Sequence, residues 1–261
     1  MFGRRKIAAL VAEFLGTGIL TLLVLSVQRS TIGVPFFVAI AAGLTIIVLS
    51  FALGEVSGAQ FNPALTLGLW TANRIRTSKA FLYIAVQLLG AWLGYWLYTY
   101  YANSTLMYIG GHFTWRVAVA EGVGTAIFAF GYSAVMYQNF SHAVRSSLAG
   151  ISYIVGVVAA SAAAVGLINP ALALGVRAWV WGSYVAGAAV GGIVGVQLYN
   201  LFFAPALAVA EVAVVAAPKV APAIVVAKPR KAATSRTTTT ATARKSSVKK
   251  PAAKRKPRTA K

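Results

Sequence analysis

Two Asn-Pro-Ala triplets, Asn62-Pro63-Ala64 and Asn169-Pro170-Ala171, are the residues whose types and order best suit chemistry in this chain. Asn favours a helix N-cap because its side-chain oxygen accepts from the backbone N–H groups of the first turn, and Pro suits that turn because its missing N–H would have had no partner there. Each triplet therefore predicts a helix start that points an amide donor and a positive dipole end at whatever lies ahead of it. Other candidates are few. The four acids are all Glu, and His112 and His142 lie in different predicted loops with no second ligand at metal spacing. Without Cys there is no thiolate nucleophile, disulfide or Cys-held zinc. No metal, cofactor or catalytic set is implied, so the chain is not read as an enzyme.

The elements that position the triplets are apolar. Of 261 residues, 59% are hydrophobic and 11% charged, and the mean hydropathy is +0.74, which leaves too little polar surface to cover a water-soluble domain. Six apolar runs, approximately 7–27, 35–53, 80–102, 117–137, 148–165 and 178–204, are long enough to cross a hydrocarbon core of about 30 Å at about 1.5 Å per residue. Two shorter stretches of about ten residues begin at Pro63 and Pro170, about 15 Å each, and reach only the midplane. With the N-terminus cytoplasmic, the inner segments hold Arg4, Arg5, Lys6, Arg74, Arg76, Lys79 and Arg145, against Arg29, Arg116 and Arg177 outside. Both termini are expected in the cytoplasm.

An internal repeat organises these runs. Ala12-Glu13-Phe14-Leu15-Gly16-Thr17 is echoed by Ala120-Glu121-Gly122-Val123-Gly124-Thr125, and the two triplets recur at nearly the same offset. Each repeat holds three spans, an odd number, so the second copy lies inverted and the short segments enter from opposite faces. The expected fold is an all-α membrane protein with six transmembrane helices and two re-entrant half-helices in two inverted repeats. Residues 1–206 form the transmembrane domain, with repeats at about 7–102 and 115–204. Glu13 and Glu121, at equivalent intramembrane positions, suit carboxylates that accept hydrogen bonds from the non-helical segments leading into each half-helix; a proton relay is the alternative. Gly90, Gly94, Gly187 and Gly191 have the small-xxx-small spacing of close helix pairs.

This arrangement resembles the aquaporin and glycerol-facilitator, or major intrinsic protein, family over about residues 4–206. The resemblance rests on the paired triplets, on Ser57-Gly58-Ala59-Gln60-Phe61 before the first of them, and on the Ala-Glu motifs opening each half. It implies a homotetramer with one pore per subunit, in the plasma (inner) membrane, passing water or small uncharged solutes such as glycerol, with Asn62 and Asn169 donating to the permeant at mid-pore. It also implies a four-residue outer filter, matched here by Ala42, Val157, Gly166 and Leu172. The family's filter Arg is replaced by Leu172, so this ring is apolar and mostly small. Arg177 lies five residues beyond Leu172's half-helix register, about 140° around and about 7.5 Å outward, and does not restore the charge. A wide ring would admit glycerol-sized solutes; an apolar one would wet reluctantly. Side chains of the loop containing His112, Phe113 and Trp115 could fold in and narrow it.

Residues 207–261 read as a disordered basic cytoplasmic tail. From residue 204 onward the chain carries 14 of the 24 basic residues, one Glu and six of the nine prolines. Its expected partners are anionic membrane headgroups, with nucleic acid as the second reading. Two other functions stay open: a membrane-anchored protein acting through that tail, and a secondary transporter, suggested by inverted repeats and broken helices. Truncation after Ala206 is expected to leave solute flux per inserted protein unchanged. In the same protein, salt-sensitive binding to anionic liposomes or DNA should weaken; loss of flux would assign the tail a gating role.

Overall fold

The computed structural model describes residues 3–31, 33–109 and 111–207. The chain divides into two units, Met1–Ala217 and Pro218–Lys261; the second, and with it the tail reading beyond Leu207, lies outside the described residues. The described residues contain helices and no strands. Helices α1 (Arg4–Gln28), α2 (Pro35–Ser57), α4 (Thr77–Ala102), α5 (Trp115–Tyr137) and α6 (His142–Ala160) are each long and apolar enough to cross a membrane. A sixth span, Gly182–Leu207, contains α8 (Gly187–Leu198) between two π-helical segments. The half-helices are α3 (Pro63–Thr71) and α7 (Pro170–Gly175).

Local chemistry explains most boundaries. Pro35, Pro63 and Pro170 each open a helix where φ is already suitable and no N–H is needed. Thr114 and Ser141 cap α5 and α6 by accepting from Val117 and Val144 N–H. The Ser141 cap starts α6 six residues before the apolar run expected at 148, and the helix ends at Ala160, short of the expected 165. The residues released, 161–169, run non-helically to the second triplet. The second half-helix is six residues long and the last span begins at Gly182 instead of 178. Between them the chain turns through Arg177 at φ 64°, so Arg177 is not a further step along α7, as its helical register had assumed.

Small residues let the helices approach to backbone contact. A Cβ at Gly90 would strike the Phe14 carbonyl and one at Gly94 the Gly18 carbonyl, which pairs α1 with α4. The same meeting recurs in the second repeat: Gly187 and Gly191 sit against the carbonyls of Ala118 and Gly122, pairing α5 with α8. Across the two repeats, α2 and α6 meet where Gly43 and Gly150 each face the other's carbonyl. Leu44, Val48, Leu89, Trp96 and Val190 turn outward and are exposed, as a lipid-facing surface requires, while Leu20, Phe61, Leu65, Phe128, Ile168 and Leu172 fill the interior.

These contacts separate two glycine substitutions. Gly191→Ala forces a methyl onto the Gly122 carbonyl and is expected to destabilise by about 1–3 kcal/mol. Gly54→Ala, whose Cβ would meet nothing nearer than His142 Cε1 at 3.8 Å, gains helix propensity, at most about 1 kcal/mol. Thermal aggregation midpoints in detergent should move in opposite directions.

Candidate functional site

The two Asn-Pro-Ala tips face each other. Asn62 has φ −151° and ψ 114°, Asn169 φ −154° and ψ 111°, the extended backbone of an N-cap. Asn62 Oδ1 accepts from Ala64 N–H at 2.8 Å and Leu65 N–H at 3.4 Å; Asn169 Oδ1 accepts from Ala171 at 2.9 Å and Leu172 at 3.4 Å. The amide nitrogens then reach across the repeat boundary. Asn62 Nδ2 donates to Ile168 carbonyl at 2.9 Å, and Asn169 Nδ2 to Phe61 carbonyl, also at 2.9 Å. Each acceptor belongs to the residue just before the other triplet, so the two tips lock each other by an exchanged pair of hydrogen bonds.

The lead-in segments are held from behind by the two buried glutamates. Glu13 accepts from Gln60 N–H at 3.0 Å, Phe61 N–H at 2.7 Å and Gln87 Nε2 at 2.8 Å. Glu121 accepts from Gly166, Leu167 and Ile168 N–H at 2.9, 3.0 and 2.6 Å. The backbone they hold is strained: Phe61 and Ile168 have φ of 46° and 44°, a region costly for bulky and β-branched residues. Their side chains fit because Gly16 lies against the Phe61 ring and Gly124 against Ile168. Thr66 Oγ1 ties the first segment further, donating to Gln60 Oε1 at 2.7 Å.

The four residues matched to an outer filter are all buried. Val157 and Gly166 are neighbours: a Cβ on Gly166, where φ is 75°, would lie 2.9 Å from Val157 carbonyl and 2.8 Å from Ser161 Oγ. Leu172 sits in the first turn of α7, and Ala42 adjoins the α2–α6 crossing at Gly43; with Val157 they belong to one apolar cluster. From this loop Leu106 enters the cluster and Ile109 packs against it, whereas His112, Phe113 and Trp115, the side chains expected to fold in, are exposed. Phe113 and Trp115 pack edge to face on each other and remain exposed, and Phe113 lies over Gly182. Arg177 holds the Leu106 segment. Its guanidinium donates to the Leu106 carbonyl and lies 4.8 Å from the Trp179 ring centroid.

Several groups at the site carry no motif and escaped the sequence reading. Tyr132 donates to Gly58 carbonyl, Tyr153 to Leu167 carbonyl at 2.8 Å and Tyr83 to Ser57 carbonyl at 2.8 Å. Gln87 and Thr66 complete the network around Glu13. Superposing the repeats by their offset was the one signal available for the tyrosines.

Residues 4–199 match the family description of the major intrinsic proteins. The chain belongs to that family. Its members are membrane channels and not enzymes. Relatives include Aquaporin Z of Photorhabdus laumondii, 38% identical over 87 residues, which span 31% of this chain and 38% of that protein. Aquaporin NIP1-1 of Zea mays is 32% identical over 185 residues, 63% of this chain and 62% of its own length. Its namesake from Oryza sativa subsp. japonica is 30% identical over 218 residues, covering 75% and 74%. Among solved structures, the aquaglyceroporin from Plasmodium falciparum shares the fold with a TM-score of 0.57 at 19% identity, over 78% of this chain and 99% of that one.

The glutamate brackets generate a graded test. In Glu121→Gln one oxygen must serve three backbone donors, and an amide N–H turns toward a donor that needs an acceptor, a loss of about 1–3 kcal/mol. Gln87→Ala removes one bond from Glu13 and leaves its two backbone partners, so it should cost less. Melting midpoints and inserted yield, measured together, should rank wild type above Gln87→Ala above Glu121→Gln.

Proposed function

We propose that the protein is a passive transmembrane channel for water and small uncharged solutes such as glycerol, with Asn62 and Asn169 at the middle of the path. The observation that carries this reading is the reciprocal locking of two Asn-capped half-helices that enter from opposite faces. Such tips offer directed donors without a charged side chain, which suits a neutral permeant. Passive conduction is favoured over proton-coupled transport because Glu13 and Glu121 each already accept three N–H bonds, which suits the bracing role.

Ala42, Val157, Gly166 and Leu172 form the outer ring in this proposal. Lacking the guanidinium, the ring excludes by size and wetting alone, and the half-helix dipoles are its main electrostatic barrier. The functional unit is a homotetramer, each subunit with its own path, with both termini on the cytoplasmic side of the plasma (inner) membrane. Residues 1–206 conduct, while 207–261 form the disordered basic tail, which contacts anionic headgroups at the cytoplasmic leaflet in preference to nucleic acid.

Stopped-flow light scattering on proteoliposomes tests the reading, with an impermeant osmolyte for water flux and with glycerol and urea gradients for solute flux. Permeabilities above empty liposomes, linear in gradient and without uphill uptake, are expected. Liposomes no leakier than empty ones would sink the proposal. Leu172→Arg should lower glycerol flux relative to water and reduce any cation leak. If it inserts normally and water, glycerol and proton fluxes all match wild type, position 172 does not line the constriction.

A further inference from the structure

The repeats are alike in their scaffold and unlike in one column of side chains. Tyr83 of α4 has a counterpart in Tyr184 of the last span, since Gly90 and Gly191 make equivalent contacts at Phe14 and Gly122. Tyr132 and Tyr153 have none. The offsets that align Glu13 with Glu121 and Gly43 with Gly150 set Phe128, Tyr132 and Tyr153 opposite Leu20, Val24 and Ile46. Each tyrosine holds a lead-in carbonyl, Tyr132 that of Gly58 and Tyr153 that of Leu167, yet neither ring is required by the scaffold that the repeats share.

Their placement is continuous. A cavity of about 90 Å³ lies where α2 ends and α6 begins, bordered by Ser50, Glu55, His142 and Arg145 and reaching inward to Gly58 and Tyr132. It is large enough to hold water, and Ser50 Oγ and Arg145 Nε, among its lining residues, are buried with no protein partner. Behind Tyr132 stands Phe128, ring centroids 6.1 Å apart, and then Tyr153, 5.0 Å from Phe128. The Tyr153 hydroxyl donates to Leu167 carbonyl, two residues before Asn169. Asn62 and Asn169 are 1% and 0% exposed, and the cavity that reaches Tyr132 does not include them in its lining.

We propose that Tyr132 and Tyr153 are the residues that set the bore and the polarity of this path, in a stretch inward of the apolar outer ring. The proposal rests on the channel reading above. Gly58 and Leu167 carbonyls belong to unwound backbone, the kind of group that lines a path through a membrane protein and accepts from what passes. Here each already holds a phenol hydroxyl. A permeant advances by displacing that hydroxyl and donating to the same carbonyl. Water or a polyol can make this exchange, one O–H for another. An apolar solute of equal size would leave the carbonyl without a donor, a loss in a site this dry. The two tyrosines thus supply the hydrogen-bond discrimination that Ala42, Val157, Gly166 and Leu172 lack.

The test uses the full-length protein in proteoliposomes, comparing Tyr132→Val and Tyr153→Ile, the side chains of the first repeat, with Tyr132→Phe and Tyr153→Phe. Osmotic water permeability and glycerol permeability are measured per inserted tetramer-equivalent of protein, with sucrose as the excluded osmolyte. Each Phe variant, which keeps the ring and frees the carbonyl, should raise flux by about fivefold, the factor associated with one hydrogen bond no longer broken in transit. The aliphatic variants should raise it further and narrow the preference for glycerol over a similarly sized, less polar solute, while sucrose stays excluded. A merely structural role predicts lower flux or a leak to sucrose. If wild type conducts and every variant that inserts conducts no better, these tyrosines do not set the path and the channel reading stands. Should the aliphatic variants fail to insert, the two Phe variants decide by the same criterion. Wild type and all variants as tight as empty liposomes would overturn both proposals together.

Discussion

Backbone that is neither helix nor sheet cannot stand unpaired at the middle of a membrane, and the structure is organised around that constraint. Two such segments, 58–61 and 161–168, must run inward to deliver Asn62 and Asn169. Five of their backbone N–H groups end on two carboxylates, Glu13 and Glu121. A side-chain amide, with a single oxygen, would serve fewer donors than the two oxygens of a carboxyl group. Those bonds also hold Phe61 and Ile168 in a left-handed conformation that neither residue favours. Gly16 and Gly124, three residues beyond each glutamate, then become necessary, because any Cβ there would occupy the space of Phe61 or Ile168. The Ala-Glu-x-x-Gly motif is thus one device: a carboxylate that holds a strained segment and a gap that receives its side chain.

The two halves solve the same problem with different chemistry. Around Glu121 all three donors are backbone N–H groups of consecutive residues. Around Glu13 there are two, and the third place is taken by Gln87 of α4, itself bonded to Thr66 of the half-helix at 3.1 Å. The first half-helix is therefore tied laterally to a spanning helix through side chains. The second is held through its lead-in backbone and by close packing of Gly175 against Thr21 and the Ala91 carbonyl. The two half-helices also differ in length, α3 running nine residues and α7 six.

What could be read from the sequence was whatever is decided locally or repeated. Helix starts at Pro63 and Pro170 follow from cap chemistry alone, and the inversion follows from counting spans between two copies of a motif. Boundaries set by distant partners could not be read so. Residues 161–165 are Ser-Ala-Ala-Ala-Val, a composition that favours continuing α6. The chain leaves the helix there because the residues that follow are needed by Glu121, a contact 45 or more residues away. Leu106 was similarly hidden. Among loop residues, aromatics attract attention, yet burial of Leu106 depends on Arg177 and Arg29, which donate to the Leu106 and Met107 carbonyls. Arg177's own position follows from a left-handed turn that its residue type does not announce. Tyr132 and Tyr153 belong to no motif and become visible only as exceptions to the repeat.

Two helix N-termini aimed at one point would ordinarily make an anion site, since the first-turn N–H groups point outward with no partner. Here that capacity is already used. Proline at the first position contributes no N–H, and the next two N–H groups of each half-helix are taken by the cap's own Oδ1. The following one, at Thr66 and at Ala173, returns to the Asn carbonyl as the first helical bond, at 3.0 and 2.9 Å. An anion arriving at the tips therefore finds no free backbone donors, only side-chain amides whose nitrogens are partly committed across the repeat boundary. What remains is a weak positive field with a small number of neutral donors. A cation is repelled by that field, and an anion gains too few hydrogen bonds to replace its hydration. A neutral molecule that can accept one N–H bond loses least. The same triplet that starts each half-helix thus also removes the charge preference that a bare helix end would have had.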